Sequence, residues 1–584
     1  MSAIETDRYR LELARDGVRA RLQSPAGDHW LTLSLLAALD TVEALDETLS
    51  VAPPRVEGRT IELERASTVW DRAGATIVCG DDGLEVRTWV EGRGDLADVH
   101  LLGGRSLLAG PGTGFYPTGS SFRTLFSSNP GDPGKLVRSA GDTAVIGVSG
   151  DGGLGRGHWF FTPAPLFLAL TTADVHDPEQ AVEEGWLGIG IAAPVAQLGF
   201  VQLVYQPGDR AFNLVLEYEG HRRVDGRFEA PTVILTSGLA DPYAGLRAHR
   251  DDLAARRAAP VACDKVSQAN GPPPRSRPAW WCEPIFCGWG AQCRLAAASA
   301  GGAKDFARQE SYDEFLATLE RHEIVPGTVV IDDKWQDAYG TNRPDTAKWP
   351  DLRAWIDGRH EAGQHLLLWW KAWDAEGLSP ELCIRRSDGV PVGVDPTNPA
   401  AREVLRESVE YMLGPAGLDA DGLKVDFTAR TPSGRALSTH GEGWGIALLH
   451  ELLAIVYAAA KEAKPDALVI THTPHPAFAD VTDMVRLNDM LRLDDPGPMP
   501  PVVPQMRYRA AIVRAACPEL LIDTDDWTVP DKATWREYLE LKPELGVPSL
   551  YYVTDVDLTG ERLEDDDYAA IRRTWGRWRE KVPS

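Results

Sequence analysis

The sequence predicts a multidomain protein in which an N-terminal β-sandwich precedes a (β/α)8 TIM barrel. The chain has 584 residues, which is more than one ordinary hydrophobic core accommodates. Up to about residue 240, short alternating strands follow one another, and after residue 279 apolar strands alternate with helical segments. We therefore expect a β-sandwich domain over residues 1–255, a linker over 256–278 and a catalytic barrel over 279–584.

The N-terminal half consists of short strand-like segments separated by Gly, Pro, Asp and Asn turns. Examples are "GLEVRTWVEG", "FVQLVYQPGDRAFNLVLEYEG" and "APTVILTSG". Many such strands with polar turns are typical of a β-sandwich. A helical stretch begins near Asp241 and Pro242, and "SQANGPPPRSRPAW" then has the composition of an exposed linker.

The C-terminal half contains eight apolar strand segments, most of them followed by an amphipathic stretch. The segments are "EPIFCGWG", "GTVVIDDKW", "HLLLWWKAW", "GLKVDF", "ALVITHT", "DMVRLND", "ELLIDTDDW" and "SLYYVTD". Eight strands over about 300 residues are typical of a (β/α)8 barrel. An open doubly wound sheet is the alternative, but its first strand is usually followed by a glycine-rich phosphate turn, which this sequence lacks.

Charge and hydropathy limit the partners of the protein. The formal net charge of −26 disfavours binding to nucleic acid or to anionic membrane surfaces. The opening "MSAIETDRYRLELARDG" has neither the basic nor the apolar part of a secretion signal, and no apolar run reaches the roughly 18–20 residues of a membrane span. We expect a cytoplasmic protein that acts on a small molecule, and the sequence is compatible with a homo-oligomer.

Cysteines do not indicate a metal site. Cys282, Cys287 and Cys293 are close in sequence, but they lack the C-x-x-C pairs of a zinc site and have no histidine nearby. We interpret them as free thiols and expect neither a metal nor another cofactor.

Acidic and aromatic residues accumulate where the barrel strands end. In (β/α)8 barrels the carboxyl ends of the strands form the active site. Carboxylates accept hydrogen bonds from sugar hydroxyl groups and indoles stack on sugar C–H faces, so the pattern predicts a sugar pocket. The candidate binding residues are Trp289, Asp332, Asp333, Trp335, Trp370, Lys371, Lys424, His472, Arg486 and Asp526.

Two carboxylates are candidates for glycoside cleavage. Retaining enzymes use one carboxylate as the nucleophile and another as the acid/base. Asp426 suits the nucleophile because Lys424, two residues before it on the same strand face, keeps it ionised. Asp489 suits the acid/base, and Asp480 and Asp483 are the alternatives for that role.

The combined motifs resemble the α-galactosidase superfamily of glycoside hydrolases. This group comprises families 27 and 36 with the raffinose synthases and, more distantly, family 31. The similar segments are "FCGWG", "IDDKW", "VDPTNPAAREVL", "LKVDF" and "VRLND", in this order between about residues 280 and 530. The β-rich half that precedes the barrel agrees with family 36.

The resemblance implies a retaining α-glycosidase. Asp426 matches the nucleophile of the K-x-D motif, and Lys424 matches its sugar-binding lysine. Asp489 matches the acid/base, with Arg486 beside it. The resemblance further implies that Asp332 and Asp333 hold hydroxyl groups of the terminal sugar, with Trp289 on the pocket wall.

Some segments depart from the family pattern. Lys334 follows the acidic pair where relatives usually carry Gly or Cys, and "THTPHPAFADVTDMVRLND" replaces the Gly-rich or Cys-containing stretch of family 36. Lys334 and Lys371 leave room for another hexose or an anionic one. The chain also ends soon after the eighth strand, so we expect no C-terminal β-domain.

Three functions remain open from the sequence. The first is hydrolysis of a terminal α-linked sugar, with galactose as the expected sugar. The second is transfer of the sugar to an acceptor by a raffinose synthase-like enzyme. The third is carbohydrate binding without turnover. All three share a small glycoside or oligosaccharide as the partner.

Overall fold

Eight parallel strands form a closed barrel in the C-terminal half of the chain. The computed structural model describes residues 3–25, 27–108, 114–129, 136–149, 161–183, 185–258, 277–490 and 501–582. From the first to the seventh, each barrel strand pairs in parallel with the next one along the chain, and the eighth pairs with the first. A parallel bridge between Asp523 and Val547 joins the seventh strand to the residues before the eighth. The predicted barrel is therefore confirmed.

The barrel strands coincide with the eight segments predicted from the sequence. A small antiparallel sheet of β24 (Cys383–Arg386), β25 (Pro391–Val394) and β27 (Leu437–Ser438) lies outside the barrel, in the loops after its third and fourth strands. In chain order the barrel strands are β21 (Ile285–Cys287), β22 (Thr328–Ile331), β23 (His365–Lys371), β26 (Gly422–Asp426), β28 (Leu468–Thr471), β29 (Met484–Arg486), β30 (Leu521–Asp523) and β31 (Ser549–Leu550).

Helices surround the barrel and bury their apolar faces against it. In α5, for example, Leu405, Val409 and Met412 are buried at three- and four-residue spacing. Asn398 caps the start of this helix by accepting a hydrogen bond from the Ala400 amide. The helices are α1 (Pro242–Ala258), α2 (Trp289–Ala297), α3 (Gln309–Arg321), α4 (Leu352–Glu361), α5 (Pro399–Leu413), α6 (Gly445–Ala463), α7 (Val502–Ala516), α8 (Lys532–Leu545) and α9 (Asp565–Lys581).

In the N-terminal part, the described residues form twenty connected strands that pair almost entirely antiparallel. The two longest, β10 and β19, pair with each other over most of their length. The strands are β1 (Ala3–Glu5), β2 (Arg10–Leu13), β3 (Arg19–Gln23), β4 (His29–Ser34), β5 (Ala38–Thr41), β6 (Glu47–Val51), β7 (Arg55–Glu57), β8 (Thr60–Ser67), β9 (Arg72–Cys79), β10 (Gly83–Leu101), β11 (Gly103–Ser106), β12 (Gly114–Ser120), β13 (Thr124–Ser127), β14 (Arg138–Ser139), β15 (Ala144–Gly147), β16 (Phe167–Thr171), β17 (Trp186–Ala192), β18 (Gln202–Gly208), β19 (Ala211–Glu229) and β20 (Thr232–Leu239).

The β-rich character of the N-terminal part agrees with the sequence prediction. Its organisation as a two-layer sandwich and the domain limits at 1–255 and 279–584 stay predictions. Most of the predicted linker, residues 259–276, lies outside the described residues, and α1 continues through residues 256–258.

The two parts of the chain are in direct contact. Helix α1 packs against strands β16, β17 and β20 on one side and against α7 of the barrel on the other. Arg250 in α1 donates a hydrogen bond to the Ala515 carbonyl at 3.0 Å. The Tyr508 hydroxyl donates to the carbonyl of Ser127 in β13. Among the described residues, no helix has the length and apolar character needed to cross a membrane.

Two histidines are buried near the contact between the two parts. His249 in α1 stacks on Phe167 with ring centroids 5.8 Å apart, and neither of its ring nitrogens has a partner among the described residues. His475 follows β28, and its Nδ1 accepts a hydrogen bond from the Ala477 amide. Burial lowers the pKa of His249 to about 4 and that of His475 to about 3. Both imidazoles are therefore neutral at pH 7.

We predict that stability falls when the pH drops below about 6.5. The unfolded chain takes up protons there that the buried, neutral histidines do not, so the free energy of unfolding decreases by about 3 kcal/mol per histidine towards pH 4. Urea unfolding of the wild type and of His249→Leu between pH 7 and pH 4 measures this effect. The variant should lose about 3 kcal/mol less over this interval.

The exposed His440 provides the control. His440→Gln should leave the pH dependence as it is in the wild type, because this substitution removes no buried imidazole. Equal pH dependence of His249→Leu and the wild type would contradict the prediction.

Candidate active site

Strand alternation determines which side chains face the barrel interior. The apolar interior layer includes Ile285, Val330, Leu367, Ile470 and Met484, each from a different strand. Side chains two residues further along each strand face the same side. These positions at the carboxyl ends are Asp332, Trp369, His472 and Arg486, and on β26 the interior positions are Lys424 and Asp426.

A buried arginine joins three carboxylates at the centre of this layer. The Arg486 side chain is 3% exposed. Its Nη2 donates to Oδ1 of Asp426 at 3.1 Å, and its Nη1 donates to Asp489 at 3.2 Å and to Asp525 at 2.8 Å. The guanidinium therefore brings the two predicted catalytic carboxylates together.

Asp426 is held in its charged form. Burial alone would raise the pKa of this carboxyl, but the Arg486 guanidinium outweighs that effect and keeps the pKa well below its usual range. Oδ1 also accepts a hydrogen bond from the Phe427 amide at 2.9 Å. Oδ2 accepts from the indole Nε1 of Trp369 at 3.1 Å. Oδ2 thus has no charged donor among the described residues and is the more nucleophilic oxygen.

The surroundings of Asp489 favour its protonated form. Its recessed position disfavours the carboxylate, and the neighbouring charges of Asp525 and Asp426 oppose a further negative charge. These effects exceed the influence of Arg486 and raise the pKa of Asp489 to about 7. The side chain is 42% exposed, so a substrate can reach it.

The two alternatives for the acid/base have other partners. The buried Asp483 accepts hydrogen bonds from the Val469 amide, the Tyr457 hydroxyl and Lys461. Asp480 pairs with His450 at 3.1 Å. Of these three aspartates, Asp489 alone forms a hydrogen bond with Arg486 among the described contacts. This geometry favours Asp489 as the acid/base candidate.

Lys424 forms a second buried ion pair, with Asp332. Its Nζ lies 2.6 Å from Oδ2 of Asp332, and both side chains are 3% exposed. Burial would lower the pKa of Lys424, but the Asp332 carboxylate outweighs it and raises the pKa. Cys287 completes the group, since its thiol donates to Asp332 and lies 3.3 Å from Lys424. The six cysteines that the structure describes, Cys287 among them, are free thiols.

Asp333 borders a cluster of lysines around Tyr339. The Tyr339 hydroxyl donates to Asp333 at 2.6 Å. The Nζ atoms of Lys334 and Lys371 lie 3.8 and 4.0 Å from the centre of the Tyr339 ring. Lys304 approaches the same ring at 5.4 Å and lies 3.7 Å from Asp333. Lys334 pairs with Glu376, and Lys371 pairs with Asp374.

Trp335, Trp370 and Asp526 do not join the pocket, which corrects the sequence prediction. Trp335 has no exposed surface, and its indole donates to the Trp369 carbonyl. Trp370 points away from the interior because it alternates with Trp369. Asp526 is completely buried and pairs with Lys542 of α8, while its other oxygen accepts from the Tyr551 amide.

The structure adds two residues that the sequence interpretation did not select. Trp369 donates to the nucleophile candidate, and Asp525 bonds to Arg486. Both lie one residue from a selected position, Trp370 and Asp526. Strict strand alternation from Leu367 and Leu521 would have identified them. Trp289 is partly buried, with its ring 5.9 Å from that of Trp527, as expected of a wall residue.

One group of side chains has a spacing that could hold a metal ion among the described residues. It consists of Asp357, His360 and Asp419. Arg353 pairs with Asp357, and Lys464 pairs with Asp419. The group lies near the start of the barrel strands, at the end opposite Arg486, and these cations already balance its charge.

We predict that Asp526 supports the fold and that its neighbour Asp525 does so much less. Asp526→Asn leaves the Lys542 ammonium buried without a counter-ion and should lower the free energy of unfolding by about 3 kcal/mol. Asp525→Asn should lower it by about 1 kcal/mol, because Arg486 keeps Asp426 and Asp489. Urea unfolding at pH 7 measures both values.

The two variants control each other, because each replaces a completely buried aspartate on the same strand end by the same residue. Equal losses, or a larger loss for Asp525→Asn, would contradict the assignment of Asp526 to the ion pair with Lys542.

Comparison with known proteins gives matches of structure. No family model matches the sequence, and no curated protein matches it. A family GH31 sulfoquinovosidase from E. rectale, in complex with an aza-sugar inhibitor, is similar with a TM-score of 0.58 at 12% identity. The match covers 98% of this chain and 82% of that enzyme.

Two further solved structures are similar over most of the chain. The α-galactosidase TtGalA from Thermus thermophilus, in complex with stachyose, matches with a TM-score of 0.52 at 16% identity over 91% of this chain and 99% of its own. A cycloalternan-degrading enzyme from Trueperella pyogenes, in complex with a covalent intermediate, matches with a TM-score of 0.51 at 13% identity over 89% and 72%. The chain therefore shares its overall fold with the sulfoquinovosidase, the α-galactosidase and the cycloalternan-degrading enzyme.

Proposed function

We propose that the protein is a retaining α-glycosidase that cleaves a terminal α-linked sugar. One observation carries this proposal: Arg486 bonds to both Asp426 and Asp489, while their pKa values are shifted in opposite directions. A charged carboxylate beside a protonated one is what double displacement at a sugar requires. The fold shared with glycoside hydrolases supports the same function.

In the first step Asp489 gives its proton to the glycosidic oxygen, and Oδ2 of Asp426 attacks the anomeric carbon. The bond between that carbon and the leaving oxygen breaks, and a glycosyl ester forms on Asp426. Arg486 and the Phe427 amide stabilise Oδ1 and leave Oδ2 available for attack.

In the second step Asp489, now a carboxylate, takes a proton from a water molecule. The oxygen of this water attacks the anomeric carbon, and the bond to Oδ2 of Asp426 breaks. The sugar leaves with its original configuration, and both carboxyl groups return to their starting states.

The sugar-binding residues of the proposal are those that surround the catalytic pair. Asp332, Asp333 and Lys424 bind hydroxyl groups, and Trp289 supplies an apolar wall. His472 and Arg486 complete the pocket beside Asp426. We propose galactose as the sugar, in line with the resemblance of the motifs to α-galactosidases.

An anionic hexose is the second candidate substrate. Its support is the group of three ammonium ions around Tyr339, next to Asp333.

An aryl α-glycoside panel with galactose, glucose, xylose, a uronic sugar and a 6-sulfonated hexose separates the candidates. We expect turnover of the galactoside, and Lys371→Met should change its kcat/KM by less than about threefold. Preferred turnover of an anionic sugar, strongly reduced in Lys371→Met, would replace galactose by an anionic substrate.

We predict that azide distinguishes the two carboxylates. Asp426→Gly should lower kcat by more than about 10⁴-fold, and azide should then form the β-glycosyl azide by direct displacement. Asp489→Ala should still form the intermediate from a dinitrophenyl glycoside, and azide should resolve it to the α-glycosyl azide. Product analysis by NMR identifies each anomer.

Asp480→Ala is the control and should keep kcat/KM within about threefold, because Asp480 bonds to His450. Full activity of Asp426→Gly would overturn the proposed nucleophile. If the folded wild type binds sugars but turns over no glycoside, binding without catalysis replaces the proposal. Product carrying an added acceptor sugar would indicate transfer.

We predict that kcat/KM falls tenfold per pH unit above about pH 7. Asp489 must carry a proton to assist the leaving group, and its pKa is raised to about 7. The charged Asp426 sets no limit there, since its pKa is depressed. A dinitrophenyl glycoside is the matched control, because its leaving group needs no proton. Identical pH profiles for both substrates would contradict the acid role of Asp489.

A further inference from the structure

His472 lies between the nucleophile candidate and the central arginine. Strand β26 pairs with β28 so that Lys424 is opposite Ile470, and β28 pairs with β29 so that Ile470 is opposite Met484. Two residues further along each strand, Asp426, His472 and Arg486 are neighbours on the same side. The imidazole is therefore part of the pocket lining, and it is 2% exposed.

Two threonines connect His472 with the N-terminal part of the chain. Nε2 of His472 lies 2.5 Å from Oγ1 of Thr428, two residues after Asp426. Oγ1 of Thr428 in turn contacts Oγ1 of Thr162. The Thr162 amide donates to the His472 carbonyl at 3.0 Å. A residue of the N-terminal part thus holds both the backbone and, through Thr428, the side chain of His472.

The neutral imidazole of His472 carries one hydrogen, on one of its two nitrogens. Burial lowers the pKa of His472 to about 4, and the nearby Arg486 contributes in the same direction, so the ring is neutral at pH 7. We assign this hydrogen to Nε2, which then donates to Oγ1 of Thr428, while the Thr428 hydroxyl donates to Thr162. Nδ1 then keeps its lone pair.

Two polar atoms at this place have no hydrogen-bond partner among the described residues. They are Nδ1 of His472 and Nε of Arg486, and both are buried. Leaving such atoms without a partner costs about 1–3 kcal/mol each, so a group that pairs with either atom is favoured here. Nδ1 is an acceptor and Nε is a donor, and a hydroxyl group is the simplest group that satisfies both.

We propose that Nδ1 of His472 and Nε of Arg486 bind one hydroxyl group of the sugar, and that Thr162 is the positioning residue that holds His472 for this contact through Thr428. The proposal rests on the proposed glycosidase function. It assigns to the N-terminal part a role in the catalytic pocket that extends beyond packing.

Other contacts fix the loop that carries Thr428 to the N-terminal part. Glu219 accepts hydrogen bonds from the Gly434 amide at 2.7 Å and from the Trp444 indole at 3.2 Å. The Ser149 hydroxyl lies 2.6 Å from that of Ser433. These contacts hold the loop in place without touching His472, so one of them can serve as a control for the threonine pair.

The test compares Thr162→Val, Thr162→Ser and Ser149→Ala with the wild type on the aryl glycoside that the wild type cleaves. Thr162→Val removes the hydroxyl group that ends the series of hydrogen bonds from His472 through Thr428. It should lower kcat/KM about tenfold. Thr162→Ser retains the hydroxyl and should stay within about twofold of the wild type. Ser149→Ala removes a hydroxyl contact of the same kind at the same loop and should also stay within about twofold.

Monodeoxy substrates identify the hydroxyl contact. Each of the 2-, 3-, 4- and 6-deoxy aryl glycosides is measured with the wild type and with His472→Ala. For one of the four, removal of the hydroxyl should cost the wild type at least tenfold in kcat/KM and cost His472→Ala less than about threefold. For the other three substrates, removal of the hydroxyl should lower kcat/KM by the same factor in both proteins.

The outcomes separate this inference from the proposed function. A wild type without glycosidase activity, or an Asp426→Gly variant with full activity, overturns the proposed function. If Asp426→Gly is inactive but Thr162→Val equals Ser149→Ala, Thr162 has no positioning role. Equal deoxygenation losses in the wild type and in His472→Ala for all four substrates would overturn the hydroxyl contact. Urea unfolding of each variant checks that it is folded.

Discussion

The candidate site depends on the buried guanidinium of Arg486. Burying a cation is costly unless nearby anions compensate its charge, and here two nitrogens of the guanidinium bond to three carboxylates. The same cation has different effects on its partners. It keeps Asp426 and Asp525 charged. The pKa of Asp489 is raised instead, because its recessed position disfavours the carboxylate and a third negative charge would face the other two. One interaction thus supports both proposed roles, that of Asp426 as the nucleophile and that of Asp489 as the acid.

Barrel closure brings these groups together. Each participating strand is three to seven residues long and contributes one or two side chains at its carboxyl end. The N-terminal part adds contacts from outside the barrel. Thr162 and Glu219 bond to the segment that follows Asp426, so the position of the nucleophile strand depends on both parts of the chain. Lys424 and Asp332 form a second ion pair deeper in the barrel.

The sequence predicts the barrel well because its strands are short apolar runs with clear limits. It predicts side-chain direction less well, because a shift of one residue reverses the face of a strand. For this reason the sequence pattern predicts Trp370 and Asp526 as pocket residues. In the structure their neighbours Trp369 and Asp525 face the pocket instead. Helix α7 was not predicted, since Pro504 and several arginines hide its apolar face. Thr162 lies far from the barrel in sequence, so no local pattern could connect it with His472.

The distribution of charge also limits where a charged substituent could bind. Around Arg486 three carboxylates surround one cation, and two of them are held ionised, so a second anion there meets repulsion. Around Tyr339 the positive and negative charges are equal in number. Lys334 is paired with Glu376, Lys371 with Asp374, and Lys304 lies near Asp333. An anionic group could displace one of these carboxylates from its lysine, whereas a neutral sugar leaves every pair intact. In the proposed pocket, the side near Tyr339 is therefore where a neutral and an anionic sugar would differ most in their contacts.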